Sequence, residues 1–588
     1  MTTADSTPAA AQAGPLSGAA DDDWWRTAVI YQIYPRSFAD GDGDGTGDLP
    51  GITGRLDHLA DLGVDALWLS PFYPSPQRDG GYDVADYRAV DPRYGTLADF
   101  DELLARAHEL GIRVIVDLVP NHCSSEHIAF RAALAAAPGS EERALFHFRD
   151  GRGPDGSLPP NDWTSMFEGA AWTRVTEADG NPGQWYLHLF DPSQPDWNWD
   201  NPAVREDFER TLRFWLDREV DGFRVDVCDA LVKAPGLPDW PRPTHGVIEP
   251  VDGVMPPMWD QEGIHEIFRN WRRLLDTYDG RRILCAEAWL PPERAARIIR
   301  ADEMHQAFNF RFLETPWQAA PLRDVITESL TANDAVGAPT TWVLSNHDVM
   351  RHASRFGYDG QVELEHGVGA DDPQPDRPLG LRRARAATAL MLALPGSAYL
   401  YQGEELGLPE ATDLPDEARQ DPVWERSGHR IRGRDGCRVP LPWTEEGPAF
   451  GFGTGTGSDT WLPQPPDYGP YAVAAQRGRP GSTLELYRTL LDLRRRYRLG
   501  EGTLKWVTPP DDAPHPGRDD APRPGNDDVL HLANGSVEVV ANLGAQPVPL
   551  PPAARVLAAS EPVTAHVPPD ATVWFTTGEA GTAQEQAG

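Results

Sequence analysis

Eight short apolar, β-rich runs, most of them separated by amphipathic helical stretches, constrain this chain more than any other feature. They span 28–34 (AVIYQIY), 65–70 (DALWLS), 112–119 (IRVIVDLV), 220–227 (VDGFRVDV), 283–289 (ILCAEAW), 307–310 (AFNF), 341–345 (TWVLS) and 397–402 (SAYLYQ). The third run follows the helical pattern DFDELLARAHELG, the fourth NPAVREDFERTLRFWLD and the eighth RRARAATALMLAL. Strand runs that alternate with 3.6-period helices specify an α/β fold with a parallel sheet. Periodicity alone does not say that the sheet closes into a barrel.

Two stretches break this rhythm. After His122, Pro- and Gly-rich sequence with little helix pattern runs to about Asn201 and reads as a small domain inserted after the third strand. A second Pro/Gly-rich loop region runs over about 404–481. After about Gly502, segments such as VLHLAN, SVEVVANL and ATVWFTT alternate apolar and polar residues between turn formers, the pattern of an antiparallel β domain. The expected organisation is a disordered segment 1–23, a catalytic α/β unit over 24–120 and 202–501, an inserted domain over 121–201, a β domain over 502–578 and a disordered tail over 579–588. The Pro/Asp-rich stretch 509–528 reads as a poorly ordered loop.

Composition narrows the partners. Lys plus Arg number 53 against 90 Asp plus Glu, a net charge of -37 in 588 residues. Such a surface repels phosphate backbones and anionic lipid, which excludes nucleic acid and membranes and favours an uncharged substrate. No apolar run approaches the roughly 20 residues of a membrane span. Residues 1–23 lack the basic start and apolar centre of a signal peptide. The four cysteines, Cys123, Cys228, Cys285 and Cys437, have neither metal nor redox spacing, so a reducing, cytoplasmic setting is expected. A monomer or homodimer is expected.

The chemistry-bearing residues sit where strands end, the place where parallel α/β folds build active sites. The third run leads into Asp117 and then Asn121-His122, the fourth carries Arg224 and Asp226, the fifth Glu287, and the seventh leads into Asn346-His347-Asp348. Taken alone, an Asp at a strand end is most often a helix cap and a His a satisfied core residue. Carboxylates converging from several strand ends are different. No Ser-His-Asp triad, phosphate-cradling glycine loop or zinc pattern competes with them. They suit glycoside cleavage, in which one carboxylate attacks the anomeric carbon and one acid protonates the leaving oxygen.

DLVPNH, GFRVDV, the Glu of AEAW and SNHD resemble, in order, the main sequence regions of glycoside hydrolase family 13, the α-amylase superfamily. The resemblance runs from Trp24 to about Pro480. Within the superfamily, WWRTAVIYQIYPRSFADGDGDGTGDLPGI, GYDVADY, QPDWNW and YQGEELG are similar to the oligo-1,6-glucosidase and α-glucosidase group, and PFYPSP, LPPNDW and WYLHLF to its actinobacterial α-glucosidases. Two departures are visible. Trp197 stands where the group usually has Leu, and RVPLPW stands for the usual RTPMQW.

The resemblance implies a (β/α)8 TIM barrel with an inserted domain after strand 3 and a C-terminal antiparallel β domain. It implies Asp226 as nucleophile, Glu287 as general acid and base, and Asp348 as the carboxylate gripping the 2- and 3-hydroxyls. Arg224 would hold Asp226 ionised, His122 and His347 would hydrogen-bond the sugar, and Tyr82 would stack on it. Asp83 and Arg438 would fix its far hydroxyls and close the pocket, making the enzyme exo-acting on small α-glucosides. Asp40, Asp42, Asp44 and Asp48 alternate with glycines in DGDGDGTGD, an oxygen-rich turn that suits Ca2+. The resemblance adds the Thr46 carbonyl as a ligand and implies a structural calcium; Gly51 stands where an EF-hand would place its bidentate Glu. No pattern for an organic cofactor is present.

Val227 follows the nucleophile, where in the resembled group Val accompanies α-1,6 activity, whereas the overall similarity to maltose-cleaving enzymes favours α-1,4 activity. Mixed activity is expected, because a methyl or two near the leaving group shifts preference by only about 1–3 kcal/mol. Trehalose synthases and sucrose-acting glucosyl transferases share the motifs and stand as the alternative. A non-catalytic, membrane-anchored relative is disfavoured by the three retained carboxylates.

Overall fold

The computed structural model describes residues 23–242, 246–360, 366–454, 459–507 and 528–577. The eight runs form β1 (Val29–Ile33), β2 (Ala66–Leu69), β3 (Arg113–Leu118), β4 (Gly222–Val225), β5 (Ile283–Ala286), β6 (Gln306–Ala307), β7 (Thr341–Val343) and β8 (Ser397–Tyr401). All pair in parallel in the order β7-β8-β1-β2-β3-β4-β5-β6. A parallel bridge between Phe308 and Thr341 joins the two edges and completes the ring.

Alternation along the strands explains the double burial. Ile30, Ala66, Trp68, Ile115, Ile283, Cys285, Val343 and Tyr399 pack together inside the ring. Their chain neighbours Val29, Tyr31, Leu67, Val114, Val116, Leu284 and Leu400 point outward into the core under the helices. A strand buried on both faces must read as a continuous apolar run, which is why these were visible in the sequence. At Gly222 the β4 and β5 backbones come so close that a Cβ would lie 2.5 Å from the Ile283 carbonyl oxygen, leaving no residue but glycine.

The helix Leu97–Glu109 starts at a capping box formed by Thr96 and Asp99 and buries Phe100, Leu103, Leu104 and Ala107. The helix Pro202–Leu216 is capped by Asn201, carries Pro at its start, and buries Val204, Phe208, Leu212 and Trp215 on one stripe.

Some elements differ from expectation. β6 is only two residues long, because Asn309 caps a helix, Phe310–Glu314, that takes over the end of the predicted run. Between β3 and β4 lies a three-stranded antiparallel sheet, Phe148–Arg149, Pro182–Leu187 and Trp172–Thr176. This region also holds a helix, Ile128–Ala135, where little helix was expected; its Ala-rich sequence outweighs the Pro- and Gly-rich surroundings.

After the barrel, Leu504–Trp506, Val529–Asn534, Val537–Asn542, Ala571–Thr576 and Arg555–Ala559 form an antiparallel sheet. Its side chains bond to backbone carbonyls of the helix Arg377–Leu392 and its C-terminal cap: Thr572 donates to Ala386, Trp574 to Ala389 and Asn534 to Ala393. The expected disordered segment, loop and tail fall almost wholly outside the described residues. Among the described residues no helix is long and apolar enough to cross a membrane, and all four cysteines are free and buried.

Candidate active site

The ladder of the barrel places the central groups. Asp226 directly follows β4, and its N–H still donates to the Leu118 carbonyl of β3 at 2.8 Å. Glu287 directly follows β5, and its N–H donates to Val225 at 2.9 Å. The two carboxyls therefore stand side by side on the same rim. Val227, between them in space, has φ +45°, a left-handed conformation strained for a β-branched residue. That turn aims the Val227 N–H at Glu287 Oε2, 2.7 Å away. Trp289 Nε1 donates to the other Glu287 oxygen at 2.8 Å, and its indole is stacked on Phe310.

One buried guanidinium organises the charges. Arg224 Nη1 donates to Asp226 Oδ1 at 2.5 Å and to both oxygens of Asp117 at 3.0 and 3.2 Å, while Nη2 lies 3.7 Å from Glu287. Asp117 also accepts from Trp68 Nε1 and the Tyr82 hydroxyl. Burial pushes the Asp117 carboxyl up to about 6 against the pull of Arg224. Burial likewise pushes Asp226 and Glu287 upward, Arg224 opposes it in both, and like charges nearby add to the push. Asp226 holds the cation at bonding distance, and Glu287 does not.

Asp348, beyond β7, contrasts with both. Burial raises its carboxyl, but His347, Arg434, Arg438 and Arg224 together hold it well below the usual carboxylate range. Arg434 and Arg438 each donate to its Oδ1, at 2.9 and 3.0 Å. His347 Nε2 lies 3.3 Å from Oδ2. His347 is wedged between Gln32, whose amide nitrogen is 2.8 Å from Nδ1, and the ring of Tyr82, stacked at 5.0 Å. His122 has Asn121 and Gln194 against its two ring nitrogens, and burial pushes it down to about 4, so it is a neutral hydrogen-bonding group; burial pushes His347 down as well, against the pull of Asp348.

These groups line one cavity of about 1230 Å3, which takes in Asp79, Tyr82, His122, Asp226, Glu287, His347, Asp348 and Arg434. Asp83 and Arg438 are not among its lining residues. The Asp83 carboxylate is consumed by its own loop: it accepts from the Ser75 hydroxyl and from the N–H groups of Arg78 and Asp79. Asp79 faces the cavity instead and binds Arg434 Nη2 at 2.7 Å and Gln194 Nε2 at 3.0 Å. Arg438 lies behind Asp348, donating to it and to the His347 carbonyl, with its guanidinium over Tyr34. Arg434, which also pairs with Asp421, lines the cavity. Met166, Phe167, Phe190, Ile248, Trp259 and Trp289 extend the wall well past the volume one sugar ring needs.

A second acidic cluster lies in the loop after β1. Ligand atoms of Asp40, Asp42 and Asp48 lie within 4.8 Å of one another. Asp40 and Asp48 are oriented by backbone N–H donors from Gly43 and Gly45 and from Gly41, Asp42 and Gly51. Burial pushes Asp48 upward, and the neighbouring Asp42 adds to the push. Asp44 stands outside this trio, its Oδ1 turned to the Thr46 N–H at 2.7 Å. The loop is tied to the second loop region by a bridge from Asp40 to Gly453 and by Trp461 N–H donating to the Gly45 carbonyl.

Sequence and structure comparisons identify relatives of this chain. The family described as alpha amylase, catalytic domain, matches residues 32–502, and a domain of unknown function, DUF3459, matches 528–574. A probable alpha-glucosidase of Rhizobium meliloti (strain 1021) is 39% identical over 505 residues, 83% of this chain and 85% of that protein. An oligo-1,6-glucosidase of Parageobacillus thermoglucosidasius is 34% identical, over 81% of this chain and 84% of its own. The solved structure of an alpha-glucosyl transfer enzyme, XgtA, superposes with a TM-score of 0.77 at 34% identity, covering 94% of this chain and 99% of that one.

Proposed function

The chain belongs to the alpha-amylase catalytic-domain family and is a glycoside hydrolase, and from that premise we propose that it is a retaining exo-α-glucosidase releasing glucose from the ends of short, uncharged α-glucosides. The observation that carries this reading is the unequal sharing of Arg224. Asp226, paired at 2.5 Å, is kept ionised as a nucleophile, and Glu287, at 3.7 Å and buried, keeps a proton to give away. Asp226 attacks the anomeric carbon as the glycosidic oxygen takes the Glu287 proton. Glu287, now a carboxylate, then removes a proton from water, which attacks the glucosyl ester and frees Asp226. Asp348, held ionised by His347 and two arginines, is suited to grip sugar hydroxyls and to balance the positive charge of the transition state. Asp79 and Arg434, joined to each other at 2.7 Å, wall the cavity beside Asp348, which supports an exo-acting pocket.

Uncharged substrates are supported by the cavity's cations. Each of its lining arginines is engaged: Arg434 with Asp79, Asp348 and Asp421, Arg355 with the Leu344 and Leu313 carbonyls, and Arg383 with Asp570 and the Phe356 carbonyl. The cavity's volume of about 1230 Å3 supports a second reading, transfer of glucose to a sugar acceptor instead of water. A cytoplasmic setting is proposed from the free cysteines and acidic surface.

The first test is kcat/KM for maltose and isomaltose side by side, with products identified. We expect both to be cleaved, with preference within the roughly 10–200-fold that small changes beside the leaving group can produce. Free glucose from maltose supports hydrolysis; trehalose as the main product would sink the hydrolase reading in favour of isomerisation. We also propose a structural calcium at Asp40, Asp42 and Asp48, whose hard, preoriented oxygens suit that ion. Stripping it with EGTA should lower the unfolding temperature by several degrees, and Ca2+ but not Mg2+ should restore it. An unchanged unfolding temperature in EGTA rules the site out.

A further inference from the structure

The C-terminal sheet takes no part in the mechanism above, yet one of its side chains holds the wall of the catalytic cavity. Asp570 directly precedes the strand Ala571–Thr576 and is only 8% exposed. Its Oδ1 accepts from Trp317 Nε1 at 2.9 Å and from Arg383 Nε at 3.0 Å. Trp317 and Arg383 both line the cavity. Trp317 sits in the link between the helices Phe310–Glu314 and Ala319–Asp334, and Arg383 on the helix Arg377–Leu392. Two wall side chains from separate parts of the barrel thus share one acceptor oxygen that comes from outside it.

The anchor is built for that aim. Asp570 has φ +53°, a left-handed conformation that Asp and Asn adopt more readily than other residues with a side chain. Arg382 Nη2 lies 3.7 Å from its second oxygen. Arg383 also donates to the Phe356 carbonyl at 3.1 Å, and the Phe356 ring lies 6.1 Å from that of Trp317, so the same carboxylate fixes a patch of three lining residues. Aromatic surface beside a guanidinium suits a sugar, whose C–H faces pack on rings and whose hydroxyls accept from N–H groups.

A chain of contacts runs from the proton donor to this patch. Trp289 donates to Glu287 and stacks at 4.1 Å on Phe310, the first residue of the helix that Trp317 follows. Glu287 protonates the oxygen that joins glucose to the rest of the substrate, so the remaining units lie on its side of the cavity. The cavity's volume of about 1230 Å3 exceeds the roughly 300–1,000 Å3 of ordinary ligand pockets and leaves room for more than a disaccharide. We propose that Asp570 is a positioning residue through which the C-terminal sheet sets chain-length preference, by holding the Trp317–Arg383 wall against the outer units of longer substrates. This deepens the α-glucosidase reading and rests on it.

The test measures kcat/KM for maltotetraose and for maltose on the same preparation of wild type, Asp570→Gly and Asp570→Asn, so that their ratio is independent of the fraction folded. Glycine takes positive φ without strain, so only the carboxylate is lost. Asp570→Gly should lower the maltotetraose-to-maltose ratio about fivefold, chiefly through the KM of the longer sugar, the worth of one interaction lost from the wall. Asp570→Asn, which keeps an acceptor oxygen for both donors, should recover most of the ratio. An unchanged ratio in Asp570→Gly, including an equal loss on both sugars as a merely structural tie would give, overturns the assignment. So does a wild type that cleaves maltose but not maltotetraose. A wild type that cleaves neither sugar overturns the α-glucosidase reading itself.

Discussion

Asp226→Asn is expected to lower kcat on maltose by roughly 10^4-fold or more while the protein stays folded and still binds sugar. An amide oxygen in the same place cannot form the ester to the anomeric carbon. The fold should tolerate the change, because Arg224 does not depend on Asp226 alone: it keeps two bonds to Asp117 and remains over the face of Trp68. One negative charge fewer beside Asp117 also relieves repulsion. Thermal unfolding within a few degrees of wild type, with maltose binding retained in calorimetry, would complete the result. Turnover near the normal rate would mean that the nucleophile lies elsewhere.

Glu287→Gln should show a loss that depends on the leaving group. With maltose the departing alkoxide needs a proton, and kcat should fall about 10^2–10^4-fold. An aryl glucoside leaves without that help, so its first step survives and the glucosyl ester on Asp226 accumulates, since no base now activates water. Azide needs no base and should restore turnover by displacing Asp226 from the anomeric carbon. The pH profile gives a further check. Catalysis requires Glu287 protonated, so activity is lost as pH rises through its pKa, and burial, by raising that pKa, moves the loss to higher pH. Glu287→Gln should erase this alkaline limb. If the limb persists, or if maltose and aryl glucoside lose equally, Glu287 is not the proton donor.

The barrel was legible because strands buried on both sides leave no polar positions to blur the pattern; the ring of Ile30, Ile115 and Val343 against the helix-facing Val29, Val114 and Val116 shows both faces at work. The carboxylates were legible because each terminates such a run. The far end of the pocket was not. Asp79 and Asp83 lie four residues apart in one polar loop, as do Arg434 and Arg438 in another, and neither loop has a period. What separates them is a contact between residues 355 positions apart, Asp79 with Arg434, together with the loop N–H groups that turn Asp83 inward. The nearby glycines Gly80 and Gly81, both at positive φ, were the available hint that the chain turns sharply beside Asp79. The end of β6 was misjudged for a simpler reason: an apolar run followed by an Asn cap reads as strand until the helix it starts is seen.

Ring closure has a consequence for how the protein is made. β1 pairs with β8, Val29 against Ala398, so the first strand to leave the ribosome must wait for about 370 more residues before its second edge is covered. At roughly 5–20 residues per second that wait is about 20–70 s. The helix feeding β8 is then gripped by Asn534, Thr572 and Trp574, residues synthesised later still. A growing chain therefore carries an open, apolar sheet edge for most of its synthesis, and a ribosome that stalls before residue 398 leaves a fragment primed to pair with its neighbours.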